Sequence, residues 1–240
     1  MRYDIQTSEV PALCDSCEAR QRGICAALDT AQLLALARLS HKQRVDEGEE
    51  LVGEAERIES YSNVLSGVVK LTKTLSDGRQ QIVGLRFAPD FLGRPFNKES
   101  KLNAEAATNV ALCSFPRAAV ERLMKEQPGL EHVLLQQTLK ELDDAREWMV
   151  TLGRKTAAEK VASFLLLIAR NIDGGAAAGE DFAEFELPLT RADIADFLGL
   201  TIETVSRQFT RLRTDGVITI ENNRKLTVPD LSRLETRSGS

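Results

Sequence analysis

Between residues 187 and 229 the spacing of apolar positions changes twice, and each change predicts a different element. Ile194, Ala195 and Leu198 share one face of a short helix. Thr190 can cap that helix, with Asp193 three positions on in a capping-box-like start. Gly199 makes a turn, and Thr201 can cap a second helix running to about Thr214, where Asp215-Gly216 stops it. At roughly 100° per residue, Val205, Phe209 and Leu212 cluster on one side of this helix, and Glu203, Ser206, Arg207 and Thr210 on the other. Beyond Gly216, residues 217–220 and 226–228 flank a polar turn at 221–224, the pattern of a β-hairpin. Two short helices followed by a hairpin predict a winged helix-turn-helix.

Upstream, residues 29–39 read as a small helix with Leu33, Leu36, Ala37 and Leu39 on its apolar side. From about 44 to 115 short strands alternate with Gly48, Gly53, Gly67, Gly78, Gly84 and Gly93. The Asp77-Gly78 pair marks a hairpin between 68–75 and 80–87. This spacing predicts a jelly-roll or similar small barrel. In 130–152, Leu135, Leu139, Leu142, Ala145, Met149 and Leu152 recur at intervals of three and four. Such a seam suits the pairing of two chains, or packing on the β-region. Residues 155–172 predict another striped helix, and 174–179 a loop. The fold class expected is α+β: a cysteine-bearing arm (1–27), a β-roll (28–127), a dimerisation helix (128–153) and a winged-helix domain (154–240).

The polar face of the second helix carries base-reading chemistry. Arg can bond guanine O6 and N7 bidentately, Glu can accept from cytosine N4, and Ser or Thr can bond or pack against thymine. Arg224 and Lys225 on the wing are placed for phosphates. The net charge of −5 does not advertise nucleic acid, yet within 201–214 Arg207, Arg211 and Arg213 outnumber the single acid Glu203. A patch this small favours a protein that binds double-stranded DNA as a dimer. With 42% hydrophobic and 28% charged residues, the 240-residue chain reads as a globular protein long enough for two cores. The longest apolar run, 164–169, is too short for a bilayer, and no secretory signal is evident, so a cytoplasmic, membrane-free protein is expected. No GxGxxG or Walker loop and no catalytic His/Cys or paired-carboxylate site stands out, which argues against an enzyme.

Cys14, Cys17 and Cys25 form a Cys-x2-Cys-x7-Cys run, and Cys113 is the one other cysteine. Clustered thiols in a cytoplasmic protein point to metal or redox chemistry rather than a disulfide framework. Four suffice for one [4Fe–4S] cluster or one tetrahedral zinc, and spacing alone leaves these level. A direct thiol switch is a further reading. Cys113 shares a strand face with Ala111 and Phe115, which equally fits a buried core cysteine. The arm looks too polar to bury three thiols in a core of its own. His41 and His132 read as surface residues.

Taken together, residues 14–229 resemble the cyclic-AMP receptor protein superfamily and, through the cysteines, its FNR branch of oxygen-responsive regulators. Ile202-Glu203-Thr204-Val205-Ser206-Arg207 resembles that branch's Glu-x-x-Ser-Arg signature, and Cys113-Ser114-Phe115-Pro116 its fourth-ligand strand. The resemblance implies that Cys14, Cys17, Cys25 and Cys113 ligate an oxygen-labile [4Fe–4S] cluster. It implies a homodimer along 130–152 that binds TTGAT-type inverted repeats, with Glu203, Ser206 and Arg207 reading bases and Thr210, Arg211 and Arg224 beside them. RNA polymerase would be recruited, mainly to activate genes for low-oxygen life. An acidic residue would hold cluster-free chains apart by like-charge repulsion, with Glu147 preferred over Glu141 and Asp144. Well-known members have five residues between the second and third cysteines, where this chain has seven, as in alphaproteobacterial relatives. The hairpin around Asp77-Gly78-Arg79 differs in charge from the family's polymerase contact, so no activating residue is assigned there. Cyclic-nucleotide binders carry a Gly-Glu-Leu turn and an Arg-Ser pair. Here Gly93-Arg94-Pro95 and Lys101-Leu102-Asn103 stand instead, so no cyclic nucleotide is expected.

Overall fold

The computed structural model describes Cys14, residues 17–177 and residues 179–239, and strands form where the glycine-punctuated pattern predicts them. Strands β1 (His41–Val45), β3 (Ser60–Ser66), β6 (Phe91–Leu92) and β8 (Val110–Pro116) build one antiparallel sheet in the order β1-β8-β3-β6. Strand β2 (Glu50–Val52) pairs with β7 (Asn103–Ala106). Strands β4 (Val69–Thr74) and β5 (Gln80–Arg86) are joined by the expected hairpin, in which Gly78, at φ +87°, donates its N–H to the Leu75 carbonyl at 2.9 Å. Two compact units carry these elements: the chain up to Val69 with Arg86–Glu141, and Lys70–Leu85 with the chain from Leu142 onward.

In the first unit the pleat of β3 and β8 sorts side chains onto two faces. The register sets Tyr61 opposite Phe115, Ser62 opposite Ser114 and Asn63 opposite Cys113. Tyr61 and Phe115 join a core with Leu33 and Leu36 of α2 (Thr30–Leu39), Val120 and Leu123 of α3 (Arg117–Glu126), and Leu130 and Leu134 of α4 (Pro128–Arg154). Helix α2 begins in a full capping box: Asp29 accepts from the Gln32 N–H at 2.8 Å and Gln32 accepts from the Asp29 N–H at 3.0 Å. The N-terminal segment departs from expectation. Rather than remaining a polar arm, it forms a short helix α1 (Glu18–Gln21) and a 3-10 turn (Ile24–Ala27), and Ile24 is fully buried with Cys25 in the same core. Its charged neighbours Glu18, Arg20 and Arg22 had masked that apolar anchor.

The second unit is built around α5 (Ala157–Ile172), capped by Thr156 with Glu159 and burying Phe164, Leu165 and Ile168. Phe197 of α7 (Arg191–Leu198) lies edge-on to both Phe164 and Trp148, with ring centroids 5.8 and 4.6 Å away. A short helix α6 (Gly174–Ala177) stands where a loop was expected; the Asp173 carboxylate accepts from the Ala176 N–H at 3.1 Å and so holds it. Helix α8 (Ile202–Thr214) follows α7, and α9 (Leu231–Ser238) closes the chain. The wing has three strands, in the order β10 (Thr219–Glu221), β11 (Lys225–Val228), β9 (Ala183–Glu186). No helix among the described residues is long and apolar enough to cross a membrane.

Gly67, between β3 and β4, has φ +82°, and a Cβ there would sit 2.4 Å from the Asn109 carbonyl oxygen. Left-handed strain and a backbone clash act together, so Gly67→Ala is expected to cost at least about 2 kcal/mol. Chemical denaturation reads this as a lowered midpoint.

Candidate cysteine centre and nucleic-acid interface

All four cysteines line one cavity of about 60 Å³ in the first unit, with Leu33, Leu36, Leu65 and Phe115 as its apolar walls. Three come from the N-terminal segment. The fourth, Cys113, is delivered by β8, with Asn63 opposite it on β3. Arg20, Ser40, Lys42 and Asn63 complete the polar lining. Cys25 is buried, the other three are half-buried, and all are free thiols. The sulfurs share the cavity without closing on one point: among the described residues no three Cys, His, Asp or Glu side chains gather tightly enough for a single metal ion.

Burial dominates the electrostatics here. It pushes the Cys25 thiol up to about 12, with the neighbouring cysteines adding to the effect and the Asn63 amide opposing it. Cys14 and Cys113 are also raised, first by burial; Lys42 counters this at both, Arg20 at Cys14 and the Ser40 hydroxyl at Cys113. The Asn63 Nδ2 donates to Cys25 Sγ at 3.5 Å. None of these four polar lining residues stood out in the sequence, because only the registers of β3 and β1 on β8, which set Asn63 and Lys42 opposite Cys113, and the fold of the N-terminal segment bring them to the thiols.

The helix-turn-helix forms as the caps and periodicity predict. Thr190 accepts from the Asp193 N–H at 3.1 Å, Asp193 accepts from the Thr190 N–H at the same distance, and Gly199 ends α7 at φ +62°. The Thr201 hydroxyl accepts from the Thr204 N–H at 3.3 Å to start α8. Val205, Phe209 and Leu212 are buried, while Glu203, Ser206, Arg207, Thr210 and Arg211 are exposed. Arg224 is exposed in the wing turn, where Asn222 and Asn223 take positive φ. Two residues missed in the sequence hold α8 in place. The Arg191 guanidinium stacks 3.6 Å over the Phe209 ring. Arg233 of α9 donates to the Asp215 and Gly216 carbonyls at 2.6 and 3.3 Å, closing the C-terminal end. Lys70 of β4 pairs with Asp193 at 2.8 Å, so the capping carboxylate also ties α7 to the β4–β5 hairpin.

Along α4, Leu135, Leu139, Leu142 and Met149 are exposed, as is Val150, which the seam reading left out. Ala145 and Glu147 are exposed and Leu152 is half-buried. Of the candidate acids, Glu141 is engaged by Arg86.

Residues 159–237 match the Crp-like helix-turn-helix domain and residues 42–127 the cyclic nucleotide-binding domain. A probable transcriptional activator of Rhizobium leguminosarum bv. viciae is 55% identical, covering 98% of this chain and 96% of the relative. The transcriptional activator protein FnrL of Cereibacter sphaeroides is 41% identical over 96% of this chain and 95% of its own. Among solved structures, FixK2 from Bradyrhizobium japonicum superposes with a TM-score of 0.76 at 32% identity, covering 84% of this chain and 98% of that one. The chain belongs to the CRP/FNR family of transcription regulators, whose members are DNA-binding proteins rather than enzymes.

Thiolate is the reactive form of cysteine, so burial and a raised thiol make Cys25 the slowest to alkylate in metal-free protein. Peptide mass spectrometry after iodoacetamide at pH 8 is expected to show Cys14 modified well before Cys25. Because Cys25 ionises only towards pH 12, its rate should still climb about tenfold per pH unit between 8 and 10.

Proposed function

We propose that this regulator is an oxygen-responsive transcriptional activator holding a [4Fe–4S] cluster on Cys14, Cys17, Cys25 and Cys113. The observation that carries the reading is the meeting of those four thiols, 99 positions apart at the extremes (Cys14 to Cys113), in one cavity beneath the N-terminal segment. The donor set fits the group. A cluster attaches each thiolate to its own iron, so it suits sulfurs spread around a cavity, whereas a single zinc needs all four at about 2.3 Å from one centre. Four thiolates on a doubly positive core leave two negative charges, and Arg20 and Lys42 line the same cavity. When bound, the cluster supplies the oxygen-sensitive redox chemistry. The chain's own part is to deliver the thiols, wall them with leucine and phenylalanine, and offset their charge.

The exposed stripe of Leu135, Leu139, Leu142 and Met149 on α4 is the surface on which a second copy pairs, with Ala145 and Leu152 at its edge. Glu147 and Asp144 remain as the acids that oppose pairing, since Glu141 already has Arg86. A dimer sets two α8 helices on inverted half-sites of TTGAT type. Glu203, Ser206 and Arg207 face the bases, Thr210, Arg211 and Arg224 lie alongside, and bound dimers recruit RNA polymerase in the cytoplasm. The loop at 93–95 and the stretch at 101–103 lack cyclic-nucleotide chemistry, so no cyclic nucleotide is the effector.

Iron, sulfide and zinc analysis of anaerobically purified protein tests the centre. About four iron and four sulfide per chain are expected, with specific DNA binding lost on exposure to air. Zinc in their place, or DNA binding indifferent to air, would falsify the oxygen-sensing reading; a disulfide reversed by reductant alone would replace it with a thiol switch. For base reading, Arg207→Ala is expected to cost about 1–3 kcal/mol and to relax specificity at one base pair. A uniform loss over all sequences would instead mark Arg207 as a phosphate contact.

A further inference from the structure

One polar side chain in the cysteine cavity has no role in the ligand set itself. Asn63 is 1% exposed, in the middle of β3, on the face it shares with Tyr61 and Leu65. Every other β3 side chain on that face is aromatic or aliphatic. Its Oδ1 is, among the described residues, the one buried side-chain polar atom without a hydrogen-bond partner. Its Nδ2 has a single acceptor, the sulfur of Cys25 at 3.5 Å. Burying an amide so poorly satisfied costs roughly 1–3 kcal/mol, and a leucine at this position would avoid that cost. A hydrogen bond to a neutral thiol offsets little of it. A hydrogen bond to sulfur bearing a ligand's negative charge is charge-assisted and offsets far more.

The geometry points to Asn63 as a positioning residue for the iron–sulfur centre: its amide donates to the Cys25 sulfur, fixes that ligand against the cavity wall and raises the reduction potential of the bound cluster. The assignment rests on the cluster reading above. The sign follows from electrostatics. Reduction adds negative charge that spreads onto the ligand sulfurs, an N–H donor stabilises the more negative state, and hydrogen bonds to sulfur are among the determinants of cluster potential. Cys113 lies directly opposite Asn63 in the sheet, so the β3–β8 register that delivers one ligand also aims the donor at another.

The experiment uses the full chain, reconstituted anaerobically, with Asn63→Leu, which keeps the branched heavy-atom skeleton, is somewhat larger and has no donor. Asn63→Val, a better strand former, is made alongside in case leucine does not fit. Iron content, melting temperature of the metal-free chain and midpoint potential are measured for each. Both variants are expected to load iron as the parent does and to melt no lower, since an unsatisfied buried amide has been removed. Their midpoints should move negative by the equivalent of about a threefold to tenfold shift in the redox equilibrium, at most about 59 mV for one electron. An unchanged midpoint in variants that load iron overturns the assignment, as does a lowered melting temperature with an unmoved potential, the mark of a purely structural asparagine. A parent chain that takes up no iron overturns the cluster reading itself, and that failure is visible in the parent sample alone.

Discussion

When β3 pairs with β8 so that Asn63 faces Cys113 and Tyr61 faces Phe115, the pleat decides which side chains of the first unit can meet. The face carrying Tyr61, Asn63, Cys113 and Phe115 is the one on which the N-terminal segment, α2, α3 and the start of α4 assemble. The other face carries Val64, Leu112 and the Ser62–Ser114 hydroxyl pair, 2.8 Å apart. A cysteine far along the chain thus reaches three near its start without a loop of its own. The N-terminal segment can cover the cavity because Ile24 anchors it in the same core. Core and thiol centre are therefore one construction: what buries Ile24, Leu33 and Leu36 also fixes the cavity walls.

The second unit solves a different problem, which is to hold one helix rigid while leaving half of it bare. Val205, Phe209 and Leu212 secure α8 from beneath. Arg191 is stacked on Phe209 in the middle of the helix and Arg233 donates to the Asp215 and Gly216 carbonyls just past its C-terminal end, so the helix is restrained without covering the polar face. In the proposed reading of DNA, a backbone already fixed in α8 leaves only side chains such as Glu203, Ser206, Arg207 and Thr210 to be ordered on binding, which favours affinity and discrimination alike.

How legible each part was depended on how local its determinants are. The helix-turn-helix could be read because cap, turn and periodicity lie within 25 residues (190–214), and the caps form with the residues the pattern named. Strand β9 escaped notice at four residues, although the alternation of buried Ala183 and Phe185 with exposed Glu184 and Glu186 was there to read. The burial of Ile24 was obscured by its charged neighbours, and α6 by its glycines. Asn63 could not be found from sequence at all. Its significance lies in a partner 38 positions away, and only the fold of the N-terminal segment over β3 brings that partner within 3.5 Å. The exposed seam on α4 showed in its spacing, whereas the commitment of Glu141 to Arg86 did not.

The same pairing divides the chain into places where length can change and places where it cannot. Between Cys17 and Cys25 lie a four-residue helix and a turn; an added residue there alters a local excursion that returns to the same anchor. One residue inserted within the regular pairing of β3 or β8, unless taken up as a bulge like the one between Val64 and Ser66, exchanges the two faces of that strand beyond that point. Placed in β8 just ahead of Cys113, it would send Cys113 towards the side now held by Ser114 and bring a serine to the thiols. Insertions and deletions along this lineage should therefore accumulate in the N-terminal segment, while the strands behind it keep count.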